Sequence, residues 1–153
     1  MKQLSRKILE YSVIYTNRAT NLMSERYQQS MRDITNNLCK VYSAEQCALI
    51  PGSGTSGMES VARQFGNDQT CLVIRNGYFS YRWSQIFEVG NITNNVHVIK
   101  GSLDNNHMVS PPDVSEVCQW IETYKPQLVC APHVETSTGV MLTEEYIQQV
   151  AKS

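Results

Sequence analysis

Ten residues, Pro51-Gly52-Ser53-Gly54-Thr55-Ser56-Gly57-Met58-Glu59-Ser60, set three glycines and the hydroxyls of Ser53, Thr55 and Ser56 at the mouth of a helical pattern. Glycine lets backbone N–H groups approach an anion closely. A helix beginning there adds unpaired N–H donors and the positive end of its dipole. That is phosphate-binding chemistry. The dipole contributes only about 0.3–1 kcal/mol when exposed and ~2 kcal/mol in a favourable site, so several donors must converge. The plain alternative is a tight strand-to-helix turn in which one hydroxyl caps the helix. Gly52-x-Gly54-x-x-Gly57 also fits a dinucleotide fingerprint, which wants an acidic residue about 20 positions on. Arg75-Asn76-Gly77 stands there instead, and an arginine suits a 2′-phosphate, so an NADP-binding oxidoreductase domain remains an alternative. A P-loop fails for want of Lys-Ser/Thr after the glycines. A nucleophile elbow fails because Ser56 abuts Gly57.

Two further segments carry polar or aromatic groups of interest. Arg75-Asn76-Gly77-Tyr78-Phe79-Ser80-Tyr81-Arg82-Trp83 puts aromatics at the start of a helical pattern, where a face could stack on a planar ring; Phe79 and Trp83, four apart, also suit two core positions. His133-Val134-Glu135-Thr136-Ser137-Thr138-Gly139 crowds polar groups into one loop, which is either a binding loop or a hydroxyl-rich turn. The histidines at 97, 107 and 133 have no partners at ligand spacing, so no metal site is expected. Cys39, Cys47, Cys71, Cys118 and Cys130 form an odd set without a Cys-x-x-Cys pair and read as buried, reduced thiols of a cytosolic protein.

These segments need elements to hold them. Leu22, Met23, Tyr27, Met31, Ile34, Leu38 and Val41 recur at steps of three and four and predict an amphipathic helix over 21–42. Short apolar runs at 46–50, 70–74, 96–99 and 127–130 predict strands. Helical patterns fall between them: Met58 to Phe65, Phe79 to Phe87, and Val114 to Tyr124. The last of these is expected to start with Ser110 as N-cap, Pro111 at the first helical position and Asp113 closing a capping box, and to stop at Pro126. A final helix is predicted from Thr143, with Glu144 and Glu145 in its first turn. The Asn-rich stretch 91–106 reads as a surface loop around one strand. Strands of continuous apolar character alternating with helices predict an α/β fold with a mainly parallel sheet covered on both faces. Ligands bind such sheets beyond the carboxyl ends of the strands, which is where 51–57 and 131–139 are expected.

At 153 residues the chain suits one core. Thirteen basic against fourteen acidic residues give no electrostatic reason to expect nucleic acid or an anionic membrane. Nothing approaches the roughly 20 apolar residues of a membrane span. Lys2, Arg6 and Lys7 precede an apolar stretch that Glu10 interrupts, so no leader is expected and the location is read as cytoplasmic.

In order and spacing, GSGTSGMES, RNGYFSYRW and HVETSTG resemble the class V branch of the fold-type-I pyridoxal-phosphate enzymes, the alanine/serine–glyoxylate and serine–pyruvate aminotransferases in particular. The resemblance runs from about residue 20 to the end. It implies part of a three-layer large domain, with residues 1–42 as an N-terminal segment and amphipathic helix and 43–153 as the N-terminal part of the cofactor-binding domain. It implies that Ser53, Gly54 and Thr55 hold the phosphate of pyridoxal 5′-phosphate, that Phe79 stacks on its ring, that Thr136 contacts the ring's phenolic oxygen, and that Glu135 steadies the loop. The family commonly has tryptophan or histidine at the stacking position. The substrates implied are a small amino acid and a 2-oxo acid such as glyoxylate or pyruvate, and the parent is implied to be a homodimer. The family's Schiff-base lysine and its carboxylate at the pyridine nitrogen come later than HVETSTG, and no lysine here has a Ser-x-Lys context. No catalytic residue is therefore assigned in this chain, which is read as a piece of a longer enzyme and as inactive alone. A non-catalytic interaction module on a truncated fold is the remaining alternative.

Overall fold

The computed structural model describes residues 20–153, so the reading made for the first nineteen residues lies outside it. The chain divides into two units, Met1–Ile50 and Pro51–Ser153. In the first, helix α1 (Glu25–Val41) is capped by Ser24, whose hydroxyl accepts the Tyr27 N–H at 3.2 Å. This is the amphipathic helix expected over 21–42, and none of its residues is buried within the chain. The strand expected at 46–50 is absent. Residues 46–50 are irregular and exposed apart from half-buried Cys47. An apolar run becomes a strand only where a neighbour meets its N–H and C=O groups, and every ladder among the described residues joins other segments.

The second unit is built on a three-stranded parallel sheet. Helix α2 (Gly54–Phe65) leads to β1 (Cys71–Arg75), followed by α3 (Tyr78–Val89) and β2 (Val96–Lys100). Two short strands, β3 (Ser102–Leu103) and β4 (Val109–Ser110), form a hairpin. Helix α4 (Val114–Tyr124) and β5 (Leu128–Cys130) complete the sheet in the order β2-β1-β5, with Cys71 level with Val96 and Leu128. A second hairpin, β6 (Val134–Glu135) with β7 (Val140–Met141), precedes α5 (Glu144–Lys152). The three predicted strands other than 46–50 lie within a residue or so of the observed ones.

Both faces of β1 are buried, which is why its pattern is continuous rather than alternating. Cys71 and Val73 meet Ala62, Ile86, Phe87 and Cys130 on one face, with Met58 and Trp83 packed around them. Leu72 and Ile74 meet Ile99 and Val117 on the other, with Trp120, Ile121, Tyr146 and Val150. Two of the expected buried thiols are thus in the core, while Cys39, Cys47 and Cys118 are half-buried. Burial raises the Cys71 thiol. Burial and then the neighbouring Cys71 push Cys130 up to about 12, so neither is a thiolate nucleophile at neutral pH.

Helix α4 starts three residues later than Ser110–Pro111 predict, and Ser110 belongs to β4. Pro112 keeps Pro111 out of the helical region, so the chain must clear both prolines first. Asp113 then caps the helix itself, accepting the Ser115 N–H at 2.8 Å. Lys125 closes the helix in the left-handed conformation, with φ 46° and ψ 55°, just before Pro126. At the far end Thr143 caps α5 as expected, and the Tyr146 hydroxyl donates to the Pro112 carbonyl at 3.0 Å, tying α5 to the segment that enters α4.

Phe87 is 1% exposed and stacks against Trp83 with ring centroids 6.4 Å apart. Replacing it with alanine empties the middle of one core face. Phe87→Ala is expected to cost about 3–5 kcal/mol in urea unfolding, and a cost below about 1 kcal/mol would mean this face is not the core.

Candidate functional site

The carboxyl ends of β1 and β5 deliver two of the expected segments to one place. After β1 the chain turns through Asn76 and Gly77 into α3, and after β5 it runs into the β6–β7 hairpin, whose turn is 136–139. The side chain of Glu135, 0% exposed, joins them. Its Oε1 accepts from the Phe79 N–H at 3.0 Å and the Ser137 hydroxyl at 2.5 Å. Its Oε2 accepts from the Ser80 N–H and the Ser80 hydroxyl, both at 2.7 Å. Ser137 in turn accepts the Tyr78 N–H at 2.8 Å, so the first three N–H groups of α3 are all satisfied by the hairpin. Ser80 also accepts the N–H groups of Asn76 and Gly77, and Thr138 donates to the Asn76 carbonyl at 3.0 Å.

Burial alone raises the carboxyl of Glu135. The hydrogen bonds from Ser137 and Ser80 and from the N–H groups of Ser80 and Phe79 outweigh it and hold the group down at about 2. Glu135 is therefore a fixed anion at the N-terminus of α3, and it occupies the position a phosphate would need there.

Helix α2 has no such anion. Ser53 is its N-cap but makes no side-chain capping bond, and the first turn holds no acidic residue. A Cβ built on Gly54 or Gly57 would meet nothing within 4 Å, whereas one on Gly52, which has φ +151°, would strike the Ser56 side chain. Thr55 accepts from Arg82 Nη1 at 2.5 Å. The Arg82 guanidinium also lies over two rings of the first turn of α3, 5.4 Å from the Tyr78 centroid and 5.6 Å from that of Phe79.

The three segments thus form one bonded chain: Thr55 to Arg82, Arg82 to the Phe79 ring, the Phe79 N–H to Glu135, and Glu135 on to the turn that begins with Thr136. Phe79 is 42% exposed while Trp83 packs into the core, so the two aromatics divide the roles that their spacing left open. Thr136 is exposed and makes no hydrogen bond among the described residues; Ser137 and Thr138 hold the turn instead. Arg82 is the group sequence reasoning passed over. Its spacing of three and four from Phe79 and Tyr78 on one helix was the available signal. The bonds of Glu135 to Ser80 cross 55 positions and leave no local pattern.

Among the described residues no group of histidine, cysteine and acidic side chains is placed to hold a metal ion, and no helix is long and apolar enough to cross a membrane. No protein-family model and no curated protein sequence matches the chain. Solved structures do match: the fold is that of the class V aminotransferases. Ureidoglycine-glyoxylate aminotransferase from Bacillus subtilis superposes with a TM-score of 0.71 at 21% identity, over 87% of this chain and 33% of that one. Alanine–glyoxylate aminotransferase from Nostoc sp. superposes with a TM-score of 0.66 at 22% identity, over 84% and 33%. The chain spans about a third of the length of these structures.

The folded-state value of Glu135 lies below the ordinary glutamate value of 4.5, so the unfolded chain takes up the proton first. The stability this carboxylate contributes is complete above about 4.5 and is lost as pH falls towards 2. Glu135→Ala also strands buried N–H groups and is expected to cost about 3 kcal/mol at neutral pH in urea unfolding. The gap from the unmodified chain should shrink steadily below pH 4.5. A pH-independent gap would show that the charge is not what matters.

Proposed function

We propose that the chain is the cofactor-binding part of a pyridoxal-phosphate-dependent aminotransferase that moves an amino group between a small amino acid and a 2-oxo acid such as glyoxylate or pyruvate. The observation that carries the reading is the contrast between two helix starts. That of α3 is filled by Glu135, and that of α2 is left with open glycines, an unengaged N-cap hydroxyl and a guanidinium beside it. The residues present fit the group: an anion meets the first-turn N–H groups of α2 and the Ser53 hydroxyl, within reach of the positive charge of Arg82. A planar ring extending from it meets the exposed face of Phe79. Pyridoxal phosphate supplies an electron sink for the substrate's amino-bearing carbon when bound.

The chain's own part is to bind and orient. Glu135 fixes the Phe79 backbone, and its bonds to Ser80 and Ser137 fix the turn that presents Thr136, the residue assigned to the ring's phenolic oxygen. Arg75, the residue a 2′-phosphate would need, is engaged elsewhere. It donates to the Ser84 hydroxyl at 2.6 Å and lies 4.9 Å over the Tyr81 ring, which favours pyridoxal phosphate over NADP. The homodimeric state and cytoplasmic location belong to the same reading and rest on the resemblance of the three segments.

Pyridoxal phosphate is expected to raise the thermal midpoint of the chain, and pyridoxal without its phosphate to do so far less. Gly54→Val points a side chain into open space, so the ligand-free midpoint should correspond to a change within about 1 kcal/mol while the stabilisation disappears. Stabilisation by NADPH in place of pyridoxal phosphate would transfer the site to the dinucleotide reading. The chain is proposed to lack the reactive lysine, so borohydride reduction with pyridoxal phosphate present should label no single lysine stoichiometrically. Clean trapping at one lysine would overturn that part.

A further inference from the structure

A hydroxyl inside a helix commonly donates back to a carbonyl one turn earlier. Ser30 donates in this way to Arg26 at 3.0 Å, and Ser60 to Gly57 and Thr123 to Gln119 at 2.7 Å. Thr55 has no such outlet. It is the second residue of α2, so the backbone one turn before it, at Pro51 and Gly52, lies outside the helix. Its oxygen acts instead as an acceptor, taken by Arg82 Nη1 at 2.5 Å. A guanidinium can only donate, and a hydroxyl has one proton to give. Among the described residues the Thr55 proton has no acceptor.

Arg82 is braced for that donation by the Tyr78 and Phe79 rings beneath its guanidinium. It shares a groove between α2 and α3 with Glu59, but one Glu59 oxygen accepts from Nε and Nη2 of Arg63, at 2.9 and 2.7 Å. Among the described residues Arg82 is paired with no carboxylate. A half-buried cation that bonds a neutral hydroxyl polarises it and leaves its own charge uncompensated. We infer that Arg82 is a positioning residue of the α2 site that acts through Thr55: by filling an acceptor position on Oγ1 it commits the hydroxyl proton to an anion at the helix start. The inference rests on the cofactor reading for the identity of that anion, a phosphate monoester, and adds the means by which it is selected. Thr55 held in this way is a fixed donor. It rewards a group that only accepts, such as phosphate, and penalises a neutral hydroxyl in the same place, which has a proton of its own to dispose of.

A double-mutant cycle on the chain as it stands tests this, with the affinities of pyridoxal phosphate and of inorganic phosphate read by titration calorimetry. Thr55→Val should weaken both ligands about tenfold, the equivalent of one hydrogen bond, and Thr55→Ser should keep them. Arg82→Met should cost about tenfold in the unmodified chain and no more than about twofold in the Thr55→Val background, because the hydroxyl it orients is gone. Arg82→Lys retains a donor for Oγ1 and should recover most of that loss. An Arg82 that merely braces the fold would lower the ligand-free thermal midpoint and give two effects that add. Additive losses with pyridoxal phosphate bound overturn the inference and leave the cofactor reading standing. Binding of inorganic phosphate alone, with the coupling intact, sustains the inference and removes the cofactor reading. A chain that binds neither ligand overturns both. Whatever Arg82→Met does to folding, Thr55→Val binding as tightly as the unmodified chain overturns the proposal.

Discussion

The carboxylate of Glu135 is the interaction on which the second unit's working end depends. Taking a charge out of water costs several kcal/mol, and a carboxylate is retained inside a protein only when fixed donors replace its solvation. Four donors do so here: two backbone N–H groups at the start of α3 and two hydroxyls. The exchange runs both ways, since a helix start tucked against a hairpin would otherwise leave its own N–H groups without partners. One side chain therefore solves two desolvation problems. In doing so it joins segments that the sheet brings near but does not itself connect.

With that joint in place, the rest of the site follows from the sheet. The parallel order β2-β1-β5 puts the ends of β1 and β5 side by side, and the two hydrophobic clusters clamp β1 so that its exit has a fixed direction. Phe79 then faces out while Trp83, one turn later, faces in. Arg82 reaches across to Thr55 and joins the start of α2 to the same assembly. Rigid strands set the position, and side-chain bonds between helix starts set the orientation.

Much of this was legible in the chain. Short apolar runs marked β1, β2 and β5, most plainly β1, which is buried on both faces and has no polar alternation to hide it, and α5 was marked by Thr143 and the two glutamates after it. What misled was pattern without partner. QCALI has the composition of a strand but no ladder to join, and Ser110-Pro111 has the look of a helix start until the second proline is considered. The two hairpins were missed because strands of two residues carry no period. At the site, the glycines and Phe79 stood out by type. Arg82 and Ser80 did not, since their importance lies in contacts between distant positions.

Gly77 shows what the buried carboxylate asks of the sequence. Its φ of 173° is extended and open to any residue, so glycine is not there for backbone freedom. It is there because a Cβ would stand 2.7 Å from Glu135 Cγ and 2.8 Å from Cδ, and against the Ser137 hydroxyl as well. The smallest residue at 77 and the acid at 135 are therefore one character written in two places. An alanine at 77 would displace the acid, and a shorter residue at 135 would leave a void above the glycine. Substitutions at these positions should appear together or not at all across descendants of this chain, a pairing that a single-position comparison would mistake for two independent constraints.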